Sequence, residues 1–286
     1  MLLLLAVIVG TLAPSASAVG PYPALGTCQV FPDPPASLSP RAPSLATEAA
    51  WNQDISKAPR DPRSNAYIAY INSHGGDALH PDFGSPRAYG FPYSVVATGQ
   101  RKLPIHYTAY GDESDPGPFP VPAHAPVEGG NGSDGDRHVI VVDRSTCKLY
   151  ELYRAFPVAK PRPRWNADAG TEWDLRSAAR RPEGWTSADA AGLPIFPGLV
   201  RYDEAASGEI DHALRVTYAL GNFSGPARAI AEAMKHYGLI VADNGSNWFF
   251  SGTSDRRWDD ENLNQLKRIP GSAFEVVKSA AAIRPC

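Results

Sequence analysis

HVIVVDRSTCKLYELY, residues 138–153, decides the fold. Its two runs, His138 to Val142 and Lys148 to Tyr153, are rich in β-branched and aromatic residues, and Asp143-Arg144-Ser145-Thr146 joins them, so they read as an antiparallel hairpin. Upstream, strands are expected near Tyr93 to Ala97 and Leu103 to Tyr110, paired around Thr98-Gly99-Gln100. Between these pairs, residues 111–136 hold too many glycines and prolines for regular structure and read as a linker or a long ordered loop, with residues 129–136 as a hinge.

Downstream, a strand is expected from Glu209 to Tyr218, a second hairpin from Leu239 to Ala242 and Trp248 to Ser251, and a closing strand from Phe274 to Lys278. Helical spacing appears in Ser44 to Ser56 and in Ser64 to Asn72, where Ala66, Tyr67, Tyr70 and Ile71 form one stripe. It recurs from Pro226 to Tyr237, with Ile230, Met234 and Tyr237 on one side and Gly238 at the stop, and from Asp255 to Arg268, with Leu263, Leu266 and Ile269 inward. The pattern predicts an α+β domain: one or two packed antiparallel sheets in a sandwich-like core, helices at the edges, and many Pro/Gly-rich loops.

The chain has 286 residues, enough for a sizeable core, and 28 prolines with 25 glycines disfavour an all-helical architecture. A net charge of -3, with acids and bases interspersed, leaves no basic stripe for nucleic acid. The apolar run from Leu2 to Leu12, followed by Ala16-Ser17-Ala18, reads as a signal peptide cleaved after residue 18; it is too short to span a bilayer. Residues 19–43 then form an extended Pro/Ser-rich arm and 44–286 one globular domain. Export implies an oxidising compartment, in which Cys28 and Cys147 are expected to pair and Cys286 to stay free or bridge two molecules, the other two pairings remaining open. After cleavage nothing calls for a membrane.

Chemistry-bearing types concentrate in residues 192–216, GLPIFPGLVRYDEAASGEIDHALRV. Asp203 and Glu204 are candidate acid and base or nucleophile for glycosidic cleavage, with His212 as the orienting or proton-transfer group. A second arrangement uses Arg201, Tyr202 and His212 to move a proton beside a uronate carboxylate. The structural alternative is a helix end with solvated acids and a core histidine. Aromatic residues beside acids suit a saccharide or cell-wall polymer: Trp185, Trp248 and Trp258 would line its path with Arg201, Tyr202, Asp243 and Asn244. The same composition also serves a saccharide-binding protein without catalysis, and about half of the tryptophans are expected in the core. Asp243-Asn244-Gly245-Ser246 reads first as a turn and Asp255 as a helix cap. No Cys or His spacing indicates zinc and no dinucleotide or nucleophile-elbow motif occurs, so neither metal nor cofactor is expected, although residues 131–136, NGSDGD, carry oxygen ligands enough for loose calcium binding.

HPDFG (80–84), ESDPGPFP (113–120), DRHVIVVD (136–143), CKLYELY (147–153), WTSADAAGLPIFPGLVRYDE (185–204) and residues 241–277 together make the chain similar to a family of secreted, largely bacterial proteins of no assigned activity. The resemblance covers nearly all of the mature chain and implies extracellular location and a single folding unit; it hands over no catalytic residue, cofactor or substrate. Between Arg215-Val216-Thr217 and Phe223-Ser224-Gly225 this chain is shorter than the family pattern, which has a further segment there. If that segment lines the site, the site of this copy is impaired.

Overall fold

A computed structural model describes residues 20–28, 51–52, 54–84, 90–177, 181–182, 184–213, 223–242 and 245–278. The expected signal peptide, most of the Pro/Ser arm, most of the first expected helix, Asp243, Asn244 and Cys286 lie outside them. So does the second half of the strand expected from Glu209 to Tyr218; its described residues, 209–213, are not strand. In chain order the elements are α1 (Ser64–Ser73), β1 (His80–Pro81), β2 (Tyr93–Val96), β3 (Ile105–Tyr107), β4 (Val139–Asp143), β5 (Lys148–Tyr153), β6 (Phe156–Val158), β7 (Arg164–Ala167), β8 (Ala169–Asp174), α2 (Tyr202–Ser207), α3 (Gly225–His236), β9 (Phe249–Phe250) and α4 (Asp260–Asn264). None of the described helices is long and apolar enough to cross a membrane.

The expected hairpin is the middle of a four-stranded sheet ordered β2-β4-β5-β8. Its pairs run from Val139 opposite Leu152 to Asp143 opposite Lys148. Strand side chains alternate between faces, and here both faces are covered, which is why the sequence shows continuous apolar runs instead of polar alternation. Val139, Val141, Tyr150 and Leu152 enter one core with Phe119, Val121 and Trp165. Ile140, Val142, Leu149 and Trp173 enter the other with Phe196 and Leu199. The Cys28–Cys147 disulfide, with Cα atoms 5.2 Å apart, ties residues 20–28 to the β4–β5 turn. A third core joins α3 and α4 to β1 and β9 through Leu79, Ile230, Met234, Phe250, Leu263 and Leu266.

The α+β arrangement is therefore present, with sheets that are mixed: β2 runs parallel to β4, β3 to β7, and β1 to β9. β2 and β3 do not form a hairpin, because a turn closed by Gln100 N–H donating to Ala97 O redirects the chain and Leu103 bridges to Phe119 instead. Phe119, Val121, Ala125 and Val127 are buried, so the Pro/Gly-rich stretch is an ordered loop that completes a core. Residues 239–242 are not strand, and β9 pairs with β1 instead of folding back on them. Of the closing strand expected from Phe274 to Lys278, only Val277 bridges, to Arg60.

α1 forms where its spacing predicts but turns over. Ser64 and Ile68 are its buried residues, while Tyr67 and Tyr70 face solvent, Tyr67 under Arg63 and Tyr70 stacked on His74. Tyrosine tolerates this because its apolar ring can lie along a neighbouring side chain with the hydroxyl in water. α3 keeps the expected stripe, with Ile230 and Met234 buried. The last helix begins later than Asp255: Asp259 is its cap, accepting from Glu261 and Asn262 N–H.

Candidate functional site

Residues 192–204 cross the sheet face and deliver α2 beside the third core. Gly192 has φ +68°, and a Cβ there would meet the Trp185 carbonyl oxygen at 2.4 Å, so this turn requires glycine. A short 3-10 turn, Phe196–Gly198, buries the Phe196 ring, and Val200 bridges to Gly252. α2 starts with Arg201 N–H donating to Glu204 Oε1 at 2.7 Å, and Gly208, at φ +86°, ends it.

Glu204 is the centre of a buried polar cluster. Oε1 meets His212 Nε2 at 3.1 Å, and Oε2 accepts from Arg201 Nη2. Burial acts to raise the Glu204 pKa, but the Arg201 charge, then His212 and the Arg201 N–H, outweigh it and hold the carboxyl below its ordinary value. Glu204 therefore stays ionised and suits the role of orienter or base, not of proton donor. Two atoms in this cluster are buried without a hydrogen-bond partner among the described residues: Arg201 Nη1 and His212 Nδ1. An unpaired buried donor or acceptor costs about 1–3 kcal/mol, so this arrangement spends stability on two groups that meet no hydrogen-bond partner among the described residues.

Asp203, the next residue on the helix, is turned away. Its side chain is 65% exposed and meets Arg257 Nη1 at 2.6 Å. Arg257 also grips buried Asp255 through Nε (2.9 Å) and Nη2 (2.6 Å) and lies over the Tyr202 ring. Asp255 is thus an ion-pair partner, not a helix cap. The two neighbouring carboxylates do not converge, so the arrangement expected for glycosidic hydrolysis, an acid and an ionised partner facing one bond, is not formed by Asp203 and Glu204.

The aromatic residues disperse as well. Trp258 is core, its Nε1 donating to Thr253 O and its edge against Tyr202. Trp248 is a wedge at φ +65° whose Nε1 donates to Asn72 Oδ1 and whose ring packs on Phe274. Trp165 and Trp173 are buried in the sheet cores. Of the three tryptophans expected along a sugar path, only Trp185 is exposed, beside the Arg181 guanidinium.

Residues that the sequence reading passed over surround the cluster. The Arg201 guanidinium lies over Phe196 at 5.3 Å, and Tyr93 meets Phe196 edge-on and stacks on Tyr22. Burial raises the Tyr93 phenol, with the Arg201, Asp203 and Glu204 charges in range. Tyr93 and Tyr22 also line an open groove of about 770 Å³ between residues 20–23 and the free edge of β2 as far as Gln100. The aromatic cluster at 91–93 was the available signal, but nothing local indicated its neighbours.

Among the described residues, no group of three or more His, Cys, Asp or Glu is placed to hold a metal. In the 131–136 loop, Arg137 Nη1 donates to the carbonyls of Gly130, Asn131 and Ser133, putting a guanidinium among the oxygen groups expected to suit calcium. The chain matches no family model, no curated protein and no solved structure.

Proposed function

We propose that this is an exported protein acting on an acidic polysaccharide by proton transfer, with Arg201, Glu204 and His212 as its polar centre. The observation that supports this reading is the pair of buried unpartnered atoms, Arg201 Nη1 and His212 Nδ1, on either side of one carboxylate. With His212 Nε2–H donating to Glu204, Nδ1 carries a lone pair and can act as a base, as in other carboxylate-oriented imidazoles. Arg201 Nη1 would then neutralise a uronate carboxylate, lowering the cost of the carbanion at C5. His212 Nδ1 takes the C5 proton, the C4–O bond breaks, a C4=C5 double bond forms, and the departing oxygen takes the proton back from the imidazolium. Because His212 is 1% exposed, catalysis by this route requires an opening motion.

The test is a panel of polyuronates and neutral glucans, followed by ultraviolet absorbance of unsaturated ends and by reducing-end release. Absorbance on a polyuronate only, lost in His212→Gln and in Glu204→Gln, is expected. Reducing ends without unsaturation would replace elimination by hydrolysis. The groove along β2 favours a second reading, saccharide binding without catalysis. Retention on a polysaccharide affinity gel, undiminished in both variants and with no product at any time, would establish that reading and end the first.

A further inference from the structure

Outside that cluster, two titratable side chains on the central sheet hold the segment that leads into it. Glu151, on β5, is wholly buried, and its carboxylate accepts from Ile195 N–H at 3.0 Å and Phe196 N–H at 2.8 Å. His138, just before β4, places Nδ1 2.6 Å from Glu128 Oε2 and Nε2 2.8 Å from Ala188 O. With the Glu128 carboxylate ionised both partners are acceptors, and a ring that satisfies both carries hydrogen on each nitrogen, as an imidazolium. Between these two clasps the segment is folded around Asp189, whose Oδ1 accepts from Ala191 and Leu193 N–H. We propose that Glu151 and His138 form a proton-controlled latch, which keeps residues 186–199 seated on the sheet in acid and loosens them as pH rises past neutrality.

Charges facing the latch come from every side. His138 faces Glu128 and Asp136; Glu151 faces Asp189 and His138; Asp82 stands beyond Glu128. Burial pushes the Glu151 carboxyl up to about 7, against the two backbone N–H groups, with Asp189 adding to the rise. Burial opposes the charge on His138, but the Glu128 carboxylate and the Ala188 carbonyl outweigh it and hold its pKa above the ordinary value. Each group takes up a proton more readily when the segment is seated, so raising pH draws protons from the seated form and favours release. The consequence reaches the polar centre: Phe196, held by Glu151, carries the Arg201 guanidinium on its ring.

The experiment is hydrogen exchange of the Ile195 and Phe196 amides in the full chain, as protection factors corrected for intrinsic rate, from about pH 6 to about pH 9. It uses no substrate, so its outcome is separate from that of the elimination reading. Protection is expected to fall by about tenfold or more across this window, and Glu151→Gln, neutral at every pH but still an acceptor, should flatten the fall. His138→Gln should flatten the part that Glu151→Gln leaves. A flat wild-type profile, or a Glu151→Gln slope equal to wild type, overturns the proposal. Should the Glu151 variant fail to fold, infrared difference spectra of the wild type decide: a protonated buried carboxyl that titrates near neutrality supports the latch, and its absence refutes it.

Discussion

Among the described residues, two buried imidazoles are each paired with a carboxylate, and the pairs differ in one respect. In Glu128–His138 the second ring nitrogen has the Ala188 carbonyl, so every ring position is used. In Glu204–His212 the second ring nitrogen has no hydrogen-bond partner among the described residues, and neither has one nitrogen of the arginine that shares the carboxylate. The first pair joins a loop to a sheet, and its hydrogen bonds account for its burial. The second leaves two buried polar atoms with no hydrogen-bond partner among the described residues, the feature on which the proposed chemistry rests.

The largest test of that contrast is by deletion. His138→Leu removes two charge-assisted hydrogen bonds and strands Glu128 beside an apolar side chain, with an expected loss of about 3 kcal/mol in denaturant unfolding. His212→Leu removes one bond, while Arg201 still holds Glu204, and an expected loss of about 1–2 kcal/mol follows. Equal losses would mean that the two pairs are both purely structural, and the contrast would fail.

Titration sharpens it. The folded pKa of His138 lies above its ordinary value, so its contribution to stability is complete below about 6.5 and is lost as pH rises through the folded value. Glu204 has the opposite sign: its folded pKa is depressed, so its contribution is complete above about 4.5 and is lost as pH falls through the folded value. Denaturation midpoints against pH should therefore lose part of their alkaline slope in His138→Gln, the rest belonging to Glu151, and part of their acid slope in Glu204→Gln. Exchange of the two assignments would overturn the comparison.

How much of this was legible in the sequence follows from the range of the forces involved. The β4–β5 hairpin and α3 were legible because turn chemistry, propensity and periodicity act within a few residues. Strand partners chosen across the chain were not: β2 beside β4 and β3 beside β7 depend on packing against Phe119 and Trp165, which no local pattern announces. In the 192–216 stretch the concentration of polar types was legible, and Glu204 does meet His212. The separation of Asp203 from Glu204 was not, because it turns on Arg257 arriving from another part of the fold. Glu151 was hidden inside YELY, where an acid between apolar neighbours reads as the polar side of a half-exposed strand. The structure covers both faces of that strand, so the same residue became a buried acceptor for two backbone N–H groups.

Arg201→Lys separates charge from shape. A lysine can still pair with Glu204 as a point charge but has no second planar nitrogen to offer, so a stability loss of only about 1 kcal/mol is expected. Unsaturated-product formation should nonetheless fall sharply on a polyuronate if Nη1 meets the substrate carboxylate. Unchanged turnover in this variant would remove Arg201 from the chemistry and leave it as an ion-pair partner of Glu204.

The smallest expected effect belongs to Asp203→Asn. Its carboxylate is largely in water, and Arg257 keeps its two bonds to Asp255, so the pair contributes no more than about 0.5 kcal/mol to folding. If Glu204 and His212 carry the proton transfer, product formation by this variant should match wild type within experimental error. A loss of about 100-fold or more with the fold intact would be the magnitude expected of a general acid or base. It would return the side chain to the reacting centre and require Asp203 to leave Arg257 during turnover. A null effect on both stability and turnover confines the acid–base work to the buried side of α2, the side on which Arg201 Nη1 and His212 Nδ1 stand unpartnered.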